Sequence, residues 1–272
     1  MRPVDFKAFC DLAYSQAGIR LGEEKLALVS ARVGKRLRAL DLPTERAYLD
    51  FLENDKTGGE LVEFLDVIST NFTSFFREPA HFETLAADLR QRLAAGQKSF
   101  TLWCAAASSG EEPYTIALVL EELFAGKGVE WKVLCTDIST RVLALAKRGV
   151  YREQQLKSVK KEWLNKHFLR LRGEAGEEQQ YEVSPSLKSH LTFARLNLAQ
   201  PPFPMRGPFD AVLCRNVMIY FDNPVRQGLV KEIERLVKPG GLVFVGHAET
   251  LSGLGMGLQV VSPSVYRRPG LS

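Results

Sequence analysis

Residues 99–140, SFTLWCAAASSGEEPYTIALVLEELFAGKGVEWKVLCTDIST, decide the fold. The apolar run 100–105 predicts a first strand, 112–124 a first helix, 131–136 a second strand, and 140–148 a second helix. Strand and helix in alternation are the pattern of an open, mostly parallel sheet covered by helices. The alternation continues downstream with strands at 191–195 and 210–214, a helix at 224–237 and a strand at 242–246. The last stretch, 258–267, contains Val260-Val261-Ser262-Pro263-Ser264-Val265-Tyr266 and predicts a terminal hairpin around a Ser-Pro turn. Between the second helix and the 191–195 strand lies a polar segment, 168–190, carrying Gly173 and Gly176. It is long for a connection, so it is expected to be an insertion with its own small structure.

Upstream of residue 95 little reads as strand, and the chain punctuates as several short helices. Within 23–40 the residues Leu26, Val29, Val33, Leu37 and Leu40 recur at three-and-four spacing and make one core stripe, with Glu23 and Glu24 in the first turn. Lys25, Arg32 and Arg36 flank that stripe, and Lys35 and Arg38 point further round. The outward face is expected to be cationic and without acidic partners, either as solvated surface or as a docking face. Pro43-Thr44 restarts a helix, and Lys56-Thr57-Gly58-Gly59 breaks it. The expected organisation is an N-terminal helical domain at 1–80, a connecting helix at 81–97 and an α/β domain at 98–272.

The chain has 272 residues, 45% hydrophobic and 25% charged, and 36 basic residues against 32 acidic leave a formal charge of +4. That composition excludes a dominantly disordered chain and does not demand a nucleic-acid partner. No apolar run approaches the roughly 18 residues of a membrane span, and no signal segment follows Met1, so a cytoplasmic protein without direct membrane insertion is expected. Cys10, Cys104, Cys135 and Cys214 form no CxxC pair and read as buried free thiols. The four histidines show no metal-ligand spacing, and no metal is expected.

In a doubly wound sheet ligands sit beyond the carboxyl ends of the strands. After the first strand comes Ala105-Ala106-Ala107-Ser108-Ser109-Gly110-Glu111-Glu112-Pro113, small residues that let a ligand approach the backbone, ending in carboxylates at a helix start. This is not a dinucleotide fingerprint, and Glu111 and Glu112 would repel a pyrophosphate. Asp137 closes the second strand, where a carboxylate can accept from two ribose hydroxyls; taken alone it is equally a helix cap. Asn197-Leu198 follows the 191–195 strand and Arg215-Asn216 follows Cys214, and an amide there can read an adenine edge. Together these describe a pocket for a nucleoside without phosphates, of which S-adenosylmethionine is the common example.

Three runs carry a resemblance: Thr70-Asn71-Phe72-Thr73-Ser74-Phe75-Phe76-Arg77-Glu78, the 105–114 loop, and Phe209-Asp210-Ala211-Val212-Leu213-Cys214-Arg215-Asn216-Val217-Met218-Ile219-Tyr220-Phe221. Lys238-Pro239-Gly240-Gly241-Leu242 and Gly246-His247-Ala248-Glu249-Thr250 extend it. Over nearly the whole chain the sequence resembles the chemotaxis receptor methyltransferase family, CheR. The resemblance implies a class I, Rossmann-like methyltransferase domain, an N-terminal all-helical domain and a small inserted β-subdomain at 168–190. It implies an S-adenosylmethionine-dependent protein-glutamate O-methyltransferase that acts on the cytoplasmic signalling helices of chemoreceptors, works as a monomer, and releases S-adenosylhomocysteine.

Cofactor contacts implied by the resemblance fall on Asn71, Thr73, Arg77, Glu111, Asp137, Asn197, Leu198, Arg215 and Asn216. Phe72, Phe75 and Phe76 are expected to pack in the core or between the domains. A glutamate acceptor is already ionised at neutral pH, so no general base is required and the enzyme must align, desolvate and hold it. Tyr220 is expected to orient the acceptor carboxylate, and Arg90 and Arg92 are the candidates for an arginine from the segment joining the domains. Some family members dock on a receptor tether through a Gly- and Arg-bearing hairpin; residues 173–183 here are acidic where those are basic, which speaks against tethering through that motif. Two other readings stay open: a methyltransferase for a small molecule or nucleic acid, and a non-catalytic module that binds the cofactor.

Overall fold

The computed structural model describes residues 1–69, 72–173, 178–254 and 257–270. Five helices come first: α1 (Pro3–Ala17), α2 (Leu26–Leu40), α3 (Glu45–Asn54), α4 (Gly59–Ile68) and α5 (Ala80–Ala94). Proline opens α1, where its missing N–H would have had no partner in any case, and Gly18 closes it at φ 66°. Gly18 is also a point of close approach, since a Cβ there would fall 2.6 Å from the Ala199 side chain. The first four helices share a core in which Phe9 packs on Tyr48 and Phe64 at 5.9 and 5.6 Å between ring centres, over Val29 and Val33.

The α2 stripe is narrower than its spacing suggested. Residues Glu23–Lys25 form a separate 3-10 turn, which rotates Leu26 out to 39% exposure, and Val29 and Val33 alone of the five residues are fully buried. The cationic face is also not free of acidic partners. Arg36 makes a two-pronged ion pair with Glu60 of α4 at 2.8 and 2.6 Å and reaches Glu63 at 3.4 Å. Arg32 donates to the carbonyls of Ile68 and Ser69 at the end of α4, at 2.5 and 2.9 Å. Lys25, Lys35 and Arg38 are exposed.

The second half follows the alternation read from its sequence: β1 (Ser99–Cys104), α6 (Glu111–Phe124), β2 (Glu130–Asp137), α7 (Thr140–Arg148), β3 (Val150–Arg152), α8 (Lys161–His167), β4 (Phe168–Arg170), β5 (Gln180–Val183), α9 (Pro185–Lys188), β6 (Leu191–Arg195), β7 (Phe209–Leu213), α10 (Asn223–Leu236), β8 (Val237–Phe244), β9 (Gln259–Ser262) and β10 (Val265–Arg267). Seven strands form one sheet in the order β6-β2-β1-β7-β8-β10-β9. The first five are parallel, and β10 pairs antiparallel with β8 and β9. Helices cover both faces, so β7 is buried at every position, as a parallel strand between two layers must be. One layer joins Phe82, Leu85 and Leu89 of α5 to α6 and β1; the other packs Leu229, Ile233 and Leu236 of α10 on Trp103, Val212 and Val243.

The inserted sheet has different limits from those expected. It is three-stranded and antiparallel, in the order β3-β5-β4, and it begins at Val150 rather than at 168. A three-residue strand directly after a helix carries no alternation to read. From Pro185 onward the chain has left the insertion, and α9 packs on α6. Residues 174–177 of the acidic hairpin lie outside the described residues.

Candidate active site between the sheet and the helical domain

The order of the sheet reverses between β1 and β7, and a crevice opens beyond their carboxyl ends. A cavity of about 330 Å³ occupies it. Its floor is made by Ala105, Ala106 and Ser108 after β1, Asp137 after β2, Asn197 and Leu198 after β6, and Arg215 and Asn216 after β7. Its roof is the helical half: Ile19, Arg20, Lys25, Leu28 and Ile68, with Phe72, Thr73 and Arg77 of the segment before α5.

Asp137 is 9% exposed. Its two carboxylate oxygens accept backbone N–H groups from Ser108 at 2.8 Å and Ser139 at 2.9 Å, and each keeps capacity for a further donor from the cavity. Burial pushes this carboxyl above the usual aspartate range, against the pull of those N–H groups. Leu198 is buried on the cavity wall. Asn197 is committed differently from what was expected: its NH₂ donates to the Gln16 carbonyl at 2.7 Å and its oxygen accepts from Ala199 N–H at 3.0 Å. It ties the end of α1 to the sheet domain and still lines the cavity floor, with one N–H and one lone pair beyond these two bonds.

Glu111 needs correction. Its carboxylate turns away from the cavity and accepts from the Ser109 hydroxyl at 2.7 Å and Gln155 at 3.2 Å, whereas Glu112 lines the cavity. Successive residues at a helix start diverge by about 100°, so only one of the pair can face the ligand. Arg215, fully buried as a side chain, donates to Glu112 at 2.6 Å, to Glu78 at 2.9 Å and to the Arg77 carbonyl, and lies over the Phe82 ring at 5.2 Å. Burial alone would lower its pKa, but Glu112 and Glu78 together hold it above the usual value. Arg215 therefore clamps residues 77–78 against α6 and the end of β7. Asn216 takes a left-handed φ of 57°, and its NH₂ donates to Glu78 at 3.2 Å.

Asn71 lies outside the described residues. Thr73 and Arg77 do line the cavity. Phe75 is buried against Tyr151 at 4.9 Å, and Phe76 packs on Trp163 at 5.7 Å, so both join the insertion to the core. Phe72, expected to pack, is 73% exposed with the Arg77 guanidinium 5.7 Å from its ring centre. Tyr220 ends a 3-10 turn at Met218–Tyr220; it lines the cavity, and its carbonyl accepts from Arg20 N–H at 2.9 Å.

Arg90 and Arg92 are not at this site. Arg90 is exposed on α5, and Arg92 pairs with Asp88 at 2.6 Å and approaches Asp210 at 3.7 Å. Arg92 also donates to the Gly240 carbonyl, where β7 and β8 begin, at the opposite end of the strands from the cavity. The arginine that the joining segment does bring to the cavity is Arg77. Sequence reasoning also missed Ile19 and Arg20, because the link between α1 and α2 has no periodicity to read. Glu78, His81 and His247 place donor atoms within 4.8 Å of one another, but both Glu78 oxygens are engaged by Arg215, Asn216 and His247 N–H, and the guanidinium opposes a cation there.

Residues 4–69 match the all-alpha domain of the CheR methyltransferases, and residues 71–266 match their SAM binding domain. The chemotaxis protein methyltransferase of Escherichia coli (strain K12) is 40% identical over 261 residues, covering 96% of this chain and 89% of that one. The chemotaxis protein methyltransferase of Salmonella typhimurium is 38% identical, covering 96% of this chain and 88% of that one, and chemotaxis protein methyltransferase 2 of Pseudomonas aeruginosa is 37% identical, covering 96% and 92%. With both domain matches lying on either side of the cavity that its helices and strand ends enclose, this chain belongs to the CheR methyltransferase family.

Proposed function

We propose that the chain is a protein-glutamate O-methyltransferase that uses S-adenosylmethionine to esterify glutamate side chains on the cytoplasmic signalling helices of chemoreceptors. The observation that carries the reading is the cavity itself. It presents a buried carboxylate, Asp137, small residues at the first strand end and no phosphate cradle, and it is closed by a domain of matching family. These residues fit the cofactor: Asp137 would hold the ribose hydroxyls, and Ala105 and Ala106 leave room for its approach.

When bound, S-adenosylmethionine supplies a methyl group whose bond to the sulfonium breaks as a bond to the acceptor carboxylate oxygen forms, with the electron pair returning to sulfur. The residues of the chain have no proton to remove, because a glutamate of pKa about 4.3 is already charged at neutral pH. Their task is to align and to exclude water. Tyr220 and Arg77, which enter the cavity from the two domains, would hold the acceptor; Arg77 takes the role that had been sought in Arg90 or Arg92. Thr73, Leu198 and Asn216 would form the cofactor wall. The exposed cations Lys25, Lys35 and Arg38 suit an acidic helix and would steer its encounter.

Incubation with radiolabelled S-adenosylmethionine and a receptor cytoplasmic fragment tests the reading. Base-labile methyl ester on the fragment is expected; label that stays in the cofactor, or appears only on small molecules or nucleic acid, would overturn it.

A further inference from the structure

Glu249 lies in the loop after β8, 6% exposed and outside the cavity lining. Its carboxylate gathers three backbone N–H groups. Oε2 accepts from Asn216 at 2.8 Å and from Gly246 at 2.5 Å, and Oε1 accepts from Ile219 at 3.2 Å. These donors belong to the residues after β7, the residues after β8, and the middle of the turn that ends in Tyr220. Hydrogen bonds to an ionised acceptor are about twice as strong as neutral ones, so one side chain fixes three separate pieces of backbone.

The backbone around it is shaped for that purpose. A Cβ on Gly246 would fall 2.3 Å from Asn216 Nδ2 and 2.9 Å from Glu249 Oε2, so only glycine lets the carboxylate fold back there. Asn216 keeps its left-handed φ of 57°, a conformation that a non-glycine residue holds only where its surroundings over-determine it, and its N–H bond to Glu249 is part of that constraint.

We propose that Glu249 is a positioning residue for methyl transfer: by holding Ile219 N–H it sets the Met218–Tyr220 turn, and with it the angle at which the Tyr220 hydroxyl meets the acceptor carboxylate. The proposal rests on the role given to Tyr220 above. Glu249→Gln separates its parts, because the amide oxygen can keep the Asn216 and Gly246 bonds while the NH₂ then faces Ile219 N–H, donor against donor.

The test is a double-mutant cycle with Tyr220→Phe, reading kcat and KM on a receptor cytoplasmic fragment and S-adenosylhomocysteine affinity by calorimetry. Glu249→Gln is expected to lower kcat about tenfold or more while cofactor affinity stays within about threefold, and to cost nothing further in the Tyr220→Phe background. Glu249→Asp, which keeps the charge on a shorter arm, should recover part of kcat, and it carries the same cycle if the Gln variant does not fold. Additive losses in the double variant, or cofactor affinity falling as far as kcat, would overturn the proposal. If Tyr220→Phe alone turns over as fast as the parent, the reading of Tyr220 has failed and the proposal falls with it. If Tyr220→Phe is slow but Glu249→Gln is not, positioning alone has failed.

Discussion

Two backbone N–H groups favour the ionised form of Asp137 in a place that burial makes unfavourable for charge, and that tension gives its role two measurable consequences. Asp137→Ala should weaken S-adenosylhomocysteine binding at least about tenfold, since charge-assisted hydrogen bonds contribute roughly 1.5–3 kcal/mol each; unchanged affinity in a calorimeter would remove it from the ribose site. Its raised pKa also means that the accepting form is lost at a higher pH than for an ordinary aspartate near 3.9. Cofactor affinity should therefore fall as pH drops through that raised value, and Asp137→Asn should flatten the dependence. This position was legible in the sequence because it directly follows a strand. The choice between Glu111 and Glu112 was not, because it depends on the rotation of α6 that begins at Gly110, φ 103°. Nor could spacing distinguish Arg77 from Arg90 and Arg92, since what decides it is which segment folds back over the strand ends.

The helix α2 shows the same division one level up. Its core stripe was visible in the spacing of Val29, Val33 and Leu37, but the partners of its cations come from α4, more than twenty residues away, and no pattern within α2 names them. Arg36 and Glu60 are also bound to Tyr48, whose hydroxyl donates to Glu60 at 2.6 Å. Reversing Arg36 to Glu would set a carboxylate against Glu60 and Glu63, and chemical denaturation should show a loss of about 3 kcal/mol, the low end for a broken buried pair. Lys35→Glu, on an exposed position, should stay within about 0.5 kcal/mol of the parent. A test of receptor docking by charge therefore belongs to Lys35 and Arg38, which are exposed and away from the cavity that Lys25 lines. Reversing those two should slow receptor methylation at low salt with cofactor affinity unchanged, and the difference should shrink as salt shortens the Debye length from about 10 Å at 0.1 M. A double variant that methylates as fast as the parent at low salt would make this face solvated surface only.

For the molecule as a whole, stability toward acid should depend on the contact between α5 and the loop after β8, where His81 sits. The side chain is 2% exposed, edge-on to His247 at 4.9 Å and against Phe244 at 5.6 Å. Its Nδ1 is 3.4 Å from Glu78, and neither ring nitrogen makes a hydrogen bond among the described residues. Burial first, then the charge of Arg215 and His247, pushes its pKa down from 6.5 to about 4, while Glu78 pulls the other way. The imidazole is thus neutral in the folded protein between those limits and protonated in the unfolded chain, so the unfolded state binds the extra proton. Stability is then fully present above about pH 6.5 and is lost as pH falls toward 4. Glu78, whose pKa is lowered with Arg215 and Asn216 as its partners, adds a loss only below its ordinary value of 4.5. Glu111, Glu112 and Asp137, raised by burial, act in the opposite sense, so the bare melting curve mixes both signs. The difference between parent and His81→Phe isolates the histidine, because phenylalanine fills the same space and takes no proton. Between pH 7.5 and 5 the melting temperature of the parent should fall more steeply than that of the variant, with the two curves parallel above pH 7. Curves that stay parallel down to pH 5 would mean that the folded protein accommodates a charged His81, and that this contact between α5 and the loop after β8 is wetter or looser than its packing indicates.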